Sequence, residues 1–220
     1  MLSNRLYIFD LDGTLLNTLG DLAAACDHVL LKHGYPTHSY QKYCSFVGNG
    51  IRRLVQQALP EDCQTPEAVE PIRQEFVAYY SENIDHKTHP YEGMVELLTE
   101  LQQKGAKIAV ASNKFHSGTV QLIAKFFPEI DFVEVTGNKE GAPLKPDPMI
   151  IEQIIHKASA KLSDTYMIGD SAVDMQTAHN AQIISVGVSW GFRSREELEQ
   201  NTPNHIVDSV EELRDLLLAI

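Results

Sequence analysis

"YIFDLDGTLLNT", residues 7 to 18, decides the fold of this chain. An apolar run stops at Asp10, passes through Asp12 and breaks at Gly13. A β-strand sends alternate side chains to the same side, so Asp10 and Asp12 converge beyond the strand end while Leu11 points into the core. Two carboxylates so placed can hold a cation. Read alone, the Asp-Gly step equally starts a turn, and the rest of the chain has to decide.

Short runs of strand character recur along the sequence: "RLYIFD" (5–10), "KIAVAS" (107–112), "DFVEV" (131–135), "TYMIGD" (165–170), "IISVGV" (183–188) and "HIVD" (205–208). Several are apolar throughout instead of alternating, which suits parallel strands covered on both faces. Helical stripes lie between them. Met94, Leu97, Leu98 and Leu101 form one, closed by Gly105; Val210, Leu213, Leu216, Leu217 and Ile220 form another behind a capping box from Ser209 to Glu212. Alternation of this kind predicts an α/β fold with a doubly wound parallel sheet.

Residues 11–106 separate the first two strands, far more than one crossover helix requires. Much of that stretch reads as helix. Leu19, Leu22, Ala23, Cys26, Val29 and Leu30 form a stripe behind Thr18 and Asp21 that ends at Gly34 and Pro36. Ile51, Leu54, Val55 and Ala58 form a second, and Val69, Ile72, Phe76 and Tyr79 or Tyr80 a third, which Pro71 is expected to kink or to start late. The organisation expected is a catalytic core of residues 1–14 and 84–220 with a small helical subdomain, 15–83, inserted after the first strand. Ligands of open α/β sheets bind beyond the carboxyl ends of the strands, so the insertion sits over the site as a lid.

Composition narrows the function. A chain of 220 residues with 43% hydrophobic content buries an ample core, and no apolar run approaches a membrane span. The N-terminus lacks a secretory pattern, so a cytoplasmic location is expected. A net charge of −12 argues against a nucleic-acid surface, and no membrane partner is expected. Cys26, Cys44 and Cys63 are odd in number and form no CxxC, which suggests neither a disulfide framework nor a zinc site. The nine histidines form no motif, and Trp190, Tyr79 and Tyr80 read as core or interface. The assembly expected is a monomer or homodimer.

Polar groups gather at the strand ends. The second strand closes on Ser112, Asn113 and Lys114, "LKPDP" carries Lys145 before a later helix, and "GDSAVD" brings Asp170 and Asp174 after the fourth strand. Each has a structural alternative, such as the Ser171 to Asp174 capping box. Together they specify chemistry. Asp10 and Asp170, with the backbone carbonyl of Asp12, are hard oxygen ligands suited to Mg²⁺. A lysine and a backbone amide at a hydroxyl-bearing turn complement a phosphate dianion. One carboxylate can then attack phosphorus while a second moves protons.

"DLDGT", "ASNK", "LKPDP" and "GDSAVD", in that order, resemble the four motifs of the haloacid dehalogenase superfamily of aspartate-nucleophile phosphatases. The resemblance spans the chain. It implies a Rossmann-like core with the helical cap of the family's first cap class, Asp10 as nucleophile and Asp12 as general acid/base. It further implies that Ser112 and Lys145 hold the phosphoryl group, that Asp170 ligates Mg²⁺, and that Asp174 supports that shell directly or through water. "DGTLLNT", "FVGNGIRRLVQQAL" and "ASNK" are most similar to the phosphoglycolate phosphatase branch, although Asn17 stands where many members carry Asp. Asp12 disfavours halide displacement, because the true dehalogenases lack an aspartate there.

The cap segment "VGNGIRR", 47–53, offers backbone amides at Gly48 and Gly50, and Arg52 or Arg53, to a second anionic group; Asn49 is within reach. Thr14 and Asn113, beside the strand-end groups, complete the candidate substrate contacts. The expected partner is a small phosphorylated metabolite, 2-phosphoglycolate by resemblance. A phosphomutase of the β-phosphoglucomutase type and an inorganic pyrophosphatase share this chemistry. A phospho-acceptor signalling domain is a remote third, since it carries its acceptor aspartate on a middle strand and has no long cap.

Overall fold

A computed structural model describes Leu2 and residues 4–219; Ile220, in the last apolar stripe, lies outside the described residues. In chain order the strands are β1 Leu6–Phe9, β2 Leu16–Asn17, β3 His89–Pro90, β4 Lys107–Phe115, β5 Phe132–Asn138, β6 Thr165–Gly169, β7 Ile184–Val188 and β8 His205–Val207. The helices are α1 Leu19–Lys32, α2 Tyr40–Phe46, α3 Gly50–Ala58, α4 Pro66–Asn83, α5 Met94–Gln103, α6 His116–Phe126, α7 Met149–Ala158, α8 Ala172–Asn180, α9 Arg195–Gln200 and α10 Val210–Ala219.

All six expected strands form one sheet, ordered β5-β4-β1-β6-β7-β8, and every neighbouring pair is parallel. The alternation of β1 explains why both faces are covered. Leu6 and Ile8 join Ile151 and Ile154 of α7 and Ala178 of α8 on one side. Tyr7 and Phe9 fall in the larger cluster with Leu97 and Leu98 of α5 and Leu213 and Leu217 of α10, where the Tyr7 hydroxyl donates to the Leu217 carbonyl at 2.8 Å. Because the sheet is parallel, the chain segments that follow β1, β4 and β6 all leave from one edge.

Two expectations change at that edge and beside it. β4 does not stop at Ser112 but runs to Phe115, with its register against β5 broken between Ala111 and Phe115. Ser112, Asn113 and Lys114 therefore leave the regular ladder while remaining buried. A second sheet, unexpected from sequence, pairs Leu16 with Pro90 and Asn17 with His89 as an antiparallel ribbon. The chain leaves the core and returns to it through this ribbon, and α1 to α4 lie between its strands.

In the helical insertion α4 packs on α1 and α3. Pro71 neither breaks α4 nor delays it: Thr65 accepts from the Ala68 amide and Pro66 occupies the first turn, so nucleation is complete upstream of Pro71. The expected cap of α1 is also different. The Thr18 side chain makes no capping bond, and the Asp21 carboxylate turns to the returning strand. It accepts from the amides of Lys87 and Thr88 and from the Thr88 hydroxyl at 2.8–3.0 Å. Asp21 thus clamps the two chain crossings together. Asp21→Ala should destabilise the protein by about 2–3 kcal/mol, because it strands buried donors that a charged acceptor satisfied. Urea unfolding measures this, and a loss below about 0.5 kcal/mol, the scale of an ordinary surface change, would show that the ribbon closes without the clamp.

Candidate active site

The parallel edge brings four acidic side chains and two lysines together. Asp10 directly follows β1, and its amide donates to the Ile168 carbonyl at 2.9 Å, extending the ladder to β6 by one residue. Asp170 directly follows β6, and Asp174 lies in the first turn of α8. One carboxylate oxygen from each of Asp10, Asp170 and Asp174 lies within 4.8 Å of the other two, and all three residues are buried.

Lys145 holds this cluster. Its Nζ donates to Asp10 Oδ1 at 2.8 Å, to Asp174 Oδ1 at 2.7 Å and to the Ala111 carbonyl at 2.8 Å, which uses all three ammonium hydrogens. Asp174 Oδ2 accepts from the Ser171 amide and hydroxyl at 3.2 and 2.6 Å. The capping box and the site are therefore one carboxylate seen from its two oxygens.

The electrostatics follow from burial. Loss of solvent pushes the Asp10 carboxyl up to about 6, with Lys145 opposing and Asp174 adding to the rise. The Asp170 carboxyl is raised well above the usual range by burial and then by the charges of Asp174 and Asp10. Burial acts to lower the Lys145 ammonium, but Asp10 and Asp174 outweigh it and hold the pKa above the ordinary value. Lys145 bonds two of the three buried acids, Asp10 and Asp174, so the cluster holds more acidic groups than its one paired lysine offsets.

Those residues fit a hard divalent cation. The donors are all oxygens, and the Asp170 carboxylate sits in a backbone cradle too tight for side chains. A Cβ at Gly13, whose φ is +87°, would stand 2.4 Å from Asp170 Oδ2, and one at Gly191 would stand 2.3 Å from Asp170 Cβ. The Phe192 amide donates to Asp170 Oδ2 at 2.7 Å and fixes its direction.

The Asp12 side chain stands outside this cluster. It accepts from Lys114 Nζ at 3.1 and 3.4 Å, so its place in the expected metal set rests on its backbone carbonyl alone. The same Nζ donates to the Tyr80 hydroxyl at 2.7 Å. Burial lowers the Lys114 ammonium, with Asp12 opposing. Ser112 is buried, accepts from the Lys114 amide at 3.3 Å and lines the cavity with Asp10, Asp12, Lys114, Lys145 and Asp174. The opposite wall is apolar, formed by Leu22, Val47, Ile51 and Leu54 together with the backbone of Gly48 and Gly50. The cavity volume is about 30 Å³.

The expected substrate contacts are spread more widely. Asn113 lines the same cavity and its side chain is bonded to backbone: it donates to the carbonyls of Gly48 and Lys145 at 3.0 and 3.1 Å and accepts from the Lys145 amide at 2.8 Å, which braces the site. Thr14 is buried away from the cavity, and Trp190 Nε1 donates to its carbonyl at 3.2 Å. Asn49 and Arg52 line a neighbouring cavity of about 380 Å³, where Arg52 is 60% exposed and its Nη2 lies 2.6 Å from Glu70 Oε2. Arg53 pairs with Gln56 at 3.0 Å. Their positions follow from α3: once Gly50 opens the helix, Ile51 and Leu54 face the acids and the arginines turn to other faces.

Sequence reasoning missed Lys114, Tyr80, Phe192 and Arg193. Lys114 had a signal, its place beside Ser112 in "ASNK". Tyr80 and Arg193 had none, because they act across long separations. Arg193 Nη1 donates to the Cys44 carbonyl at 2.7 Å and Nη2 to the Val47 carbonyl at 2.6 Å, so the core caps the open end of α2 in the insertion.

The comparisons agree with this geometry. The haloacid dehalogenase-like hydrolase family model matches residues 7–188. A phosphoglycolate phosphatase from Vibrio parahaemolyticus is 32% identical over 97% of this chain and 96% of its own. The crystal structure of a protein from Lactobacillus delbrueckii subsp. bulgaricus is 30% identical and superposes with a TM-score of 0.91 over 98% of both chains. That of a predicted phosphoglycolate phosphatase from Haemophilus somnus is 27% identical, with a TM-score of 0.88 over 98% of both chains. A family model that matches most of the chain and a relative 32% identical over nearly its whole length settle the membership: the chain belongs to the haloacid dehalogenase-like hydrolases.

Proposed function

We propose that this protein is a Mg²⁺-dependent phosphatase that hydrolyses a small phosphomonoester through an aspartyl-phosphate on Asp10, with 2-phosphoglycolate the leading substrate. The observation that carries the reading is the Lys145 contact, which fixes Asp10 inside the acid cluster and beneath the insertion. The full-length likeness to a phosphoglycolate phosphatase supports the choice of substrate.

In this reading Asp10 attacks phosphorus and the ester P–O bond breaks. Lys145 holds the Asp10 carboxylate against rotation, and the Ser112 hydroxyl with the backbone at the end of β4 holds the phosphoryl oxygens. Asp12 gives its proton to the leaving oxygen, then takes one from the water that attacks phosphorus and frees Asp10. Bound Mg²⁺ would supply charge compensation for the phosphoryl oxygens and the clustered acids. A volume of about 30 Å³ accommodates little more than water, so an ester enters when the insertion lifts and reacts when the apolar wall returns.

Phosphate release from 2-phosphoglycolate, β-glucose 1-phosphate and pyrophosphate, with and without Mg²⁺, tests the proposal. Mg²⁺-dependent release from 2-phosphoglycolate is expected. Glucose 6-phosphate formed only after adding a bisphosphate would move the protein to the mutases, and two phosphates from pyrophosphate would name a pyrophosphatase. Asp10→Asn should abolish turnover while ester binding persists, and Asp12→Asn should cost about 10²-fold to 10⁴-fold in kcat. Full activity in Asp10→Asn would refute the covalent route.

The raised carboxyls also predict how a metal acts on stability. Folding lifts the Asp10 pKa from an ordinary 3.8 to about 6, so the native state binds more protons than the unfolded state between those values. Stability of the metal-free protein from this source falls as pH rises through that window, and Asp170 extends the fall upward. Mg²⁺ should therefore raise Tm more at pH 7.5 than at pH 5, and Asp170→Asn should diminish the difference. Equal shifts at both pH values would place the cation elsewhere.

A further inference from the structure

Lys114 belongs to neither the acid cluster nor the groups assigned to the phosphate. Its side chain is 1% exposed, yet it carries a charge into the core. Burying an ammonium is unfavourable unless it is paired and hydrogen-bonded, and here the partners are specific. Asp12 takes it through both carboxylate oxygens, at 3.1 and 3.4 Å, and the Tyr80 hydroxyl takes it at 2.7 Å. Among the described residues no other side chain hydrogen-bonds or ion-pairs with the Asp12 carboxylate, which is 12% exposed.

Tyr80 is itself rigidly held. It is fully buried on α4, with its ring 5.5 Å from Phe76 and 6.2 Å, edge-on, from Phe115. Phe115 ends β4, one residue after Lys114, so the insertion and the core meet at this contact. The hydroxyl therefore has a fixed position against which the flexible lysine stem is aligned.

We propose that Lys114, braced by Tyr80 of the insertion, positions the Asp12 carboxyl for proton transfer at the leaving-group oxygen. An aspartate beyond a strand end rotates about two side-chain bonds, and a paired ammonium selects one arrangement. When Asp12 gives its proton to the departing oxygen it becomes an anion beside that ammonium. Lys114 then stabilises the product of the transfer without touching the phosphoryl group. Tyr80 acts one step further out, and through Lys114 alone. This inference rests on the phosphatase reading and adds to it the pair that orients its acid/base residue.

The test is leaving-group dependence, which a merely structural role does not alter. kcat/KM is measured for 2-phosphoglycolate, phenyl phosphate and p-nitrophenyl phosphate, whose leaving groups need progressively less protonation. Lys114→Met should lower kcat/KM for 2-phosphoglycolate by about 30-fold or more, within the range of lost acid catalysis, and for p-nitrophenyl phosphate by less than about threefold. Tyr80→Phe, which removes one hydroxyl and preserves the packing, should show the same ordering at smaller amplitude. In an Asp12→Asn background Lys114→Met should add no leaving-group preference, because the two act as a unit.

Equal losses on all three esters would overturn the assignment and make Lys114 a binding or packing residue. Equal losses on the three esters in Tyr80→Phe, or no loss on any, would overturn the brace. Failure of the unsubstituted protein to hydrolyse any of the three would refute the phosphatase reading itself, and the assignment with it.

Discussion

The Lys145 ammonium is the interaction on which the site depends. Three carboxylates whose oxygens lie within 4.8 Å repel one another in a medium of low dielectric, and one lysine offsets part of that repulsion while joining three separate elements. It reaches Asp10 beyond β1, the Ala111 carbonyl in β4 and Asp174 at the start of α8. Breaking such a buried pair costs about 3–5 kcal/mol, since the remaining charges are left without compensation. Its own backbone is held as firmly: both the amide and the carbonyl of Lys145 bond to the Asn113 side chain, which also reaches Gly48 in the insertion. Asn113 therefore ties the Lys145 backbone to the insertion.

The legible part of the fold was the part governed by local periodicity. All six core strands, the parallel order of the sheet and the helical character of the insertion follow from apolar patterning. Asp10, Ser112, Lys145, Asp170 and Asp174 were legible as a set because a parallel sheet gathers strand ends on one edge, which makes their chain positions predict their proximity. What patterning does not carry is contact between distant segments. The β2 and β3 ribbon has two residues per strand, too few for any period. Asp21 stands in the first turn of α1, but its partners lie 66 and 67 residues further along. For Arg52 helical spacing gives only a face of α3, and the packing of α3 on α4 decides that this face meets Glu70.

Two kinds of contact join the insertion to the core, and their difference has a physical consequence. Near the ribbon the buried Asp21 carboxylate accepts from the amide of exposed Lys87 and from the amide and hydroxyl of buried Thr88, and the two chain crossings are held in one arrangement. Over the site the acceptors are backbone carbonyls of the insertion, Cys44 and Val47 held by Arg193 and Gly48 by Asn113, beside the buried contact of Lys114 with Tyr80. A bond from the charged Arg193 contributes about 1.5–3 kcal/mol and the neutral Asn113 bond about 1 kcal/mol. The rim is accordingly held by separate bonds of modest strength in addition to the Lys114 contact. The rim also adjoins the acid cluster, because Phe192, whose amide directs the Asp170 carboxylate, precedes Arg193 in the chain. A residue that orients one of the clustered acids and a residue that grips the insertion are thus neighbours on one short loop. The acid cluster and the rim of the insertion meet at adjacent residues of one loop.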